Sequence, residues 1–263
     1  MGNALVQTRD RSWRGTVLEG GFIESSTVTL KILVISDLAG KVPDIDPATR
    51  ASVDMVLIAG DITLGAKHEK SITKVFTRLS KAFPAPLPVF HVPGNHDYPI
   101  VAGREPWNPS NFTPLHDRVH VLDVPFHPRR VIIVGFGGAH TGMYNNFAFD
   151  EDIIKSSLDE LCEQARKHGG FKKERSDTIL LLHDVPFGTM LDVATGTGHV
   201  GSRAVREIIE IWEPDLCVGG HIHESPGIQQ LGRSTCINAG EGKGGRHAIA
   251  RIADDGTANV ELR

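Results

Sequence analysis

The chain has 263 residues, of which 40% are hydrophobic and 23% charged, with a formal net charge of −4. This length supports a substantial core in one domain and leaves two open, while the slight acidity argues against a surface that coats nucleic acid generally. Cys162, Cys217 and Cys236 form no CxxC pair, which disfavours a disulfide framework and suits free thiols in a reducing compartment.

Residues 1–28 mix charge, Gly and Ser without a period and read as a leader or loose arm. They lack a signal-peptide apolar region, and Val6 stands where myristoylation wants Ser or Thr. No window has the long uncharged apolar run of a membrane span, so a cytoplasmic location follows by elimination.

From Thr29 onward short β-rich runs alternate with helical patterns, as in parallel βα units. Ile32–Ile35 leads to Asp37, and Met55–Ala59 leads to Gly60-Asp61. Ile72, Val75, Phe76 and Leu79 have helical spacing closed by Pro84. Val89–Val92 leads to Gly94-Asn95-His96-Asp97, and His91 inside that run reads as a core or sheet-face histidine. Residues 98–130, rich in Pro, Asn and His, read as a long loop with little regular structure.

Val134–Ala139 leads to His140. Ile154, Leu158, Leu161 and Ala165 mark a helix with Asp150 as cap and Gly169-Gly170 as stop. Thr178–Leu182 leads to His183, and a further helix through Val205, Ile208, Ile209 and Trp212 is capped by Ser202. Leu216–Gly220 leads to His221-Ile222-His223, after which only strands follow, over 227–231, 234–238, 246–253 and 259–262. Gly240-Glu241-Gly242-Lys243-Gly244-Gly245 has GxGxxG spacing, but a strand follows it, so it is a loop near the site edge and no dinucleotide fingerprint.

In open α/β sheets the carboxyl ends of parallel strands share one edge, where ligands bind. Asp, Asn and His residues dispersed through the sequence can therefore meet there. Imidazole, carboxylate and amide oxygen without thiolate suit Mn, Fe, Zn, Co or Ni. His96, beside Asn95, can protonate a leaving alkoxide, and Asp97 can orient His96 or hold the loop.

Each residue has a blander reading. Asp37 and Asp61 can be turn caps, and His183 alone can be a hydrogen-bonded half-buried histidine. His221 and His223 follow a strand, and one of them could face each side of the sheet. Their occurrence together, in order, outweighs these. His140 and His199 are substrate-binding candidates. His140 ends a strand, whereas His199 precedes a helix N-terminus that would favour an anion but equally serves as plain loop-to-helix entry. His68, His116, His120, His127, His168 and His247 are assigned to surface or packing.

The ordered set Asp37-x-x-Gly40, Gly60-Asp61, Gly94-Asn95-His96-Asp97, His183 and Gly220-His221-Ile222-His223 closely resembles the calcineurin-like metallophosphoesterase family over roughly residues 30–245. The resemblance implies a four-layer α/β/β/α sandwich of two mixed sheets with a dinuclear centre. By position, Asp37, Asp61 and His223 would hold the first divalent metal. Asp61, Asn95, His183 and His221 would hold the second, with His96 as proton donor. The tail after His223 is similar to the small phosphoesterase and phosphodiesterase branch. The absence of GDxxDRG at Asp61 disfavours the protein Ser/Thr phosphatase branch. The expected substrate is a small phosphoester, with nucleotides among the candidates.

There is one departure: the family's first motif is DxH, and this chain reads Asp37-Leu38-Ala39. Alanine cannot ligate. A natural variant with a weak first site, an engineered knock-out and a degenerate, phosphate-binding regulatory homologue are the competing explanations. Retained metal binding is favoured, with the second site firmer than the first.

Overall fold

The computed structural model describes residues 29–63, 65–103, 108–125, 127–141, 146–171 and 176–263, so the expected leader at 1–28 lies outside the described residues. In chain order the elements are β1 (Leu30–Ile35), α1 (Pro47–Ala51), β2 (Met55–Ala59), α2 (Glu69–Ala82), β3 (Val89–Val92), β4 (Phe112–Pro114), β5 (Arg118–Asp123) and β6 (Arg130–Phe136). Then come β7 (Ala139–His140), β8 (Ala148–Phe149), α3 (Glu151–Lys167), β9 (Ser176–Leu182), β10 (Val193–Ala194), β11 (Gly198–His199) and α4 (Arg203–Trp212). The chain finishes with β12 (Leu216–Gly219), β13 (Gly227–Leu231), β14 (Ser234–Asn238), β15 (Ala248–Ile252) and β16 (Ala258–Leu262).

Two six-stranded sheets carry the fold, ordered β16-β15-β1-β2-β3-β4 and β13-β14-β12-β9-β6-β5. The strands β1 to β4 run parallel, as do β6, β9, β12 and β14, while β15, β16, β13 and β5 pair antiparallel. The central strands read as unbroken apolar runs because both of their faces are covered. Along β1, Ile32 and Val34 pack toward the other sheet, against Ile133, Leu181 and Val218. Leu33 and Ile35 face outward to the α2 side, with Phe76 and Leu79. The second sheet's outer face, including Ile132 and Leu180, packs on Leu158 of α3 and Ile208 of α4. These apolar layers separate helices, sheet, sheet and helices, which is the expected sandwich.

The helices follow local rules with one exception. Ile72, Val75, Phe76 and Leu79 form the buried stripe of α2. In α4 the Ser202 hydroxyl accepts from Val205 N at 3.1 Å, satisfying one of the free amides of the first turn. Asp150 stands at the cap of α3 but makes no side-chain cap bond. The next residue, Glu151, instead receives Ser202 Oγ (2.6 Å), Arg203 N (2.9 Å) and Ala204 N (2.9 Å), joining the starts of α3 and α4.

The expectation of a long loop over 98–130 is corrected. That segment contributes β4 to the edge of one sheet and β5 to the edge of the other. Its mixed composition hid them, since most of β5 is only half-buried and needs no continuous apolar run. The terminal strands also divide: β13 and β14 join the second sheet, whereas β15 and β16 cross back to the first. The crossing passes through 240–247 at the sheets' carboxyl edge. His91 is a core histidine, its ring 5.3 Å from that of Phe76. His127 is buried with its Nε2 against Asp177 Oδ2, a pairing which the sequence did not single out. No helix among the described residues is long and apolar enough to cross a membrane.

Candidate metal centre

Asp37, Asp61 and Asn95 leave the carboxyl ends of β1, β2 and β3, while His183, His221 and His223 leave those of β9 and β12. Because the sheets share an apolar layer, these ends meet at one edge. The turns off the strands are sharp. Asp37 (φ 55°), Ala39 (φ 47°), Asp61 (φ 49°) and His221 (φ 66°) adopt left-handed backbone, which costs a residue with a Cβ roughly 1 kcal/mol or more. Cross-strand amides hold the strained turns: Asp37 N donates to Gly60 O and Ala39 N to Asp61 O, both at 3.0 Å. Space is tight enough that a Cβ on Gly94 would overlap Asp61 Oδ1, and one on Gly220 would overlap Asp37 Oδ2.

Ligand atoms of Asp37, Asp61 and His183 lie within 4.8 Å of one another, and all three residues are buried. His183 Nδ1 is 2.7 Å from the Ala59 carbonyl, which only accepts, so Nδ1 carries the proton. His183 Nε2 then faces Asn95 Oδ1 at 2.9 Å and Asp61 Oδ1 at 3.7 Å. Electron-rich atoms thus point at one another, as ligands around a cation do. Asp37 receives His221 N on Oδ2 at 3.1 Å, and its Oδ1 lies 2.8 Å from His223 Nε2. The rings of His183 and His221 are 5.0 Å apart. His221 and His223 therefore reach the same pocket, and the expectation of opposite faces is corrected, since residues two apart along extended chain share a face. The chain leaves β12 at Gly219, and His221 follows with left-handed backbone.

The electrostatics agree. Burial works to lower the pKa of His183, but the carboxylates of Asp61 and Asp37 outweigh it and raise that pKa. Burial works to raise Asp37, yet its hydrogen bond with His223 and the charge of His183 hold it below the usual carboxylate range. Burial and His183 lower His221, while the bond to Asp37 raises His223. The gap between these groups attracts positive charge. The carboxylate, imidazole and amide donors fit a borderline divalent cation, so the residues suit the implied metal.

Asp97 is fully buried and accepts from Ile62 N (3.0 Å), Thr63 N (2.8 Å), Thr63 Oγ1 (2.7 Å) and Gly94 N (3.0 Å). Of its two expected roles, holding the loop is the one whose contacts are present. Burial, with the Asp61 charge, raises its pKa to about 6. His96 has an exposed side chain. Its amide donates to Asp61 Oδ1 at 2.9 Å, and its carbonyl accepts from Asn146 Nδ2 at 3.1 Å.

His140 binds Asp184 through Nδ1 at 2.7 Å and through its amide at 2.9 Å, which ties it to the residue after His183. That bond raises its pKa. His199 is engaged by Asp192 Oδ1 at 2.7 Å on the β10–β11 hairpin, where the ring faces Phe187 at 5.8 Å. Asp184 and Glu241 were missed in the sequence. Asp184 adjoins a proposed ligand, and Glu241 follows the parallel strand β14, so the strand-end rule would have flagged it.

The calcineurin-like phosphoesterase family model matches residues 30–225. A relative, the uncharacterized protein MJ1162 of Methanocaldococcus jannaschii, is 28% identical over 215 residues, 80% of this chain and 87% of its own length. Among solved structures, TT1561 of Thermus thermophilus superposes with a TM-score of 0.62 at 19% identity, covering 90% of this chain and 99% of that one. GAP50, described as the anchor in the inner membrane complex of Plasmodium, does so with a TM-score of 0.57 at 12% identity, covering 89% and 84%. These two likenesses concern the fold alone. With the sandwich, the strand-end donors and the family match over most of its length, the chain belongs to the calcineurin-like phosphoesterase family.

Proposed function

We propose that this protein is a metal-dependent hydrolase of small phosphoesters, nucleotides among them, with diesters slightly preferred. The observation that carries the reading is the convergence of Asp37, Asp61 and His183 within 4.8 Å, flanked by Asn95, His221 and His223. Asp37, Asp61 and His223 would hold one divalent cation, and Asp61, Asn95, His183 and His221 a second, drawn from Mn, Fe, Zn, Co or Ni. Bound there, such ions supply Lewis acidity toward phosphoryl oxygens and bring the pKa of bound water near neutrality. The chain's own residues do the rest. His96, anchored by its backbone and open to solvent, is placed to give a proton to the departing alkoxide. Asp97 keeps that loop fixed against Ile62 and Thr63. His140, held by Asp184 beside His183, and His199, held by Asp192, are the substrate-contact candidates. The buried free cysteines suit a cytoplasmic location.

Ala39 favours a second reading, a weakened or inactive homologue that binds nucleotide or phosphate. Manganese-loaded protein assayed on bis-p-nitrophenyl phosphate and p-nitrophenyl phosphate separates these readings. Turnover abolished by chelation is expected, with His96→Ala slowing it about 100-fold or more. Binding with thermal stabilisation but no product, restored to turnover by Ala39→His, would establish the second reading instead.

A further inference from the structure

The Gly240–Gly245 loop is used by neither the proposed ligand set nor the proton donor, yet it packs against them. It follows β14 and is sewn to the turn after β1. Ser36 Oγ donates to Gly240 O at 2.8 Å, Gly242 N to Ser36 O at 2.8 Å, and Lys243 N to Asp37 O at 3.2 Å. Gly242 sits so close that a Cβ would overlap Ser36 O. The loop is thus held against the backbone of the proposed ligand Asp37, on the side of the centre that lacks the family's imidazole.

Two side chains of this loop form a chain of charge leading to His223. Glu241 Oε1 lies 3.3 Å from His223 Nδ1, and the same oxygen receives the Lys243 ammonium. His223 Nε2 is on the other side of the ring, 2.8 Å from Asp37 Oδ1. The ring therefore presents one nitrogen to the centre and the other to a carboxylate. A ligating histidine needs this arrangement, because the outer carboxylate fixes tautomer and ring angle and makes the inner nitrogen more basic. The tether matters more here than at His183. The His183 side chain is fully buried and pinned by the Ala59 carbonyl, whereas that of His223 is 43% exposed.

We propose that Glu241, held by Lys243, is the positioning residue that orients His223 as a metal ligand and so supports the half of the centre left short by Ala39. The inference rests on the metal-dependent reading above. It assigns a function to the loop, a carboxylate that stiffens a remaining ligand where another ligand is missing.

The test is calorimetric titration of manganese into chelator-stripped full-length protein, compared with Glu241→Ala, Glu241→Gln, Glu241→Asp and Lys243→Ala, with thermal melting of each. Two binding events are expected in the unaltered chain. Glu241→Ala should weaken the weaker event about 10- to 100-fold and leave the tighter one unchanged. Glu241→Gln, whose amide oxygen still accepts from Nδ1, should recover part of the loss, and Lys243→Ala should show a smaller loss. If Glu241→Ala melts early, Glu241→Asp makes the same comparison, its withdrawn carboxylate weakening the same event about tenfold. A weaker event indifferent to Glu241 overturns the inference. A single event in the unaltered chain also overturns it, while leaving metal-dependent hydrolysis standing. No manganese binding at all would strike that broader reading instead.

Discussion

The two edges of the sandwich make opposite use of histidine and aspartate. At the carboxyl edge, Asp37, Asp61, Asn95 and His183 turn acceptor atoms toward a common gap, and the charge there is incomplete. At the amino edge, Asp177 takes His127 Nε2 on one oxygen and Arg129 Nε on the other, while Arg129 Nη2 donates to Ser176 O at 2.6 Å. That aspartate is saturated from within the chain. The amino edge also carries a cleft of about 840 Å³, with Leu30, Val53, Met55, Leu122 and Val124 among its lining residues. This apolar cleft is therefore not where the ligands gather. Chemistry is recognised by an unsatisfied donor set, and room alone does not supply one.

That contrast can be broken by mutation. Asp61→Ala should lower manganese-dependent turnover by roughly four orders of magnitude, about 5.4 kcal/mol of barrier, with little change in melting temperature. Near-normal hydrolysis in that variant would mean that the carboxyl edge is not the site. Arg129→Met at the amino edge should do the reverse. Leaving Asp177 short of its partner costs about 3–5 kcal/mol in urea unfolding, with kcat of the folded protein unchanged.

His91 sharpens the comparison, as a buried histidine with neither arrangement. Its ring nitrogens make no hydrogen bond of good geometry among the described residues, Asn108 being the polar side chain beside them. Burial lowers its pKa to about 3, with Asn108 opposing weakly. The unfolded chain binds a proton there below about pH 6.5 and the native chain does not until about pH 3, so stability is greatest above the former and falls as pH drops between them. His91→Phe should abolish that fall, a relative gain of about 2 kcal/mol at pH 5 in urea titrations that shrinks toward zero above pH 7. Ser202→Ala, which removes the cap of α4, should cost about 1 kcal/mol of stability and leave turnover alone. A change in KM there would show that α4 communicates with the site.

Much of this was legible in the residues, and what escaped had physical causes. The stripes of α2 and α4 and the Ser202 cap depend on neighbours within one or two turns, so periodicity reveals them. Asp37, Asp61 and His183 stand at strand ends, and the strand-end rule needs only the strands. β4 and β5 escaped because edge strands do not need continuous apolar faces. The Asp150 cap was placed correctly, but its bond is absent, since Glu151 serves the neighbouring helix instead. His127 and Asp177 are 50 residues apart, and nothing local marks them as partners.

The amino-acid order by itself determined which strands are buried on both faces, where the chain leaves them, and that carboxylate, amide and imidazole residues stand at those exits. It did so because apolar runs and sharp turns are short-range properties. Only the tertiary structure decided that the last four strands divide between the sheets. It likewise decided that His221 comes against His183 and His223 against Asp37, and that the return crossing sets Glu241 beside His223. Those outcomes depend on contacts between segments far apart in sequence, and such contacts exist only once the two sheets have packed.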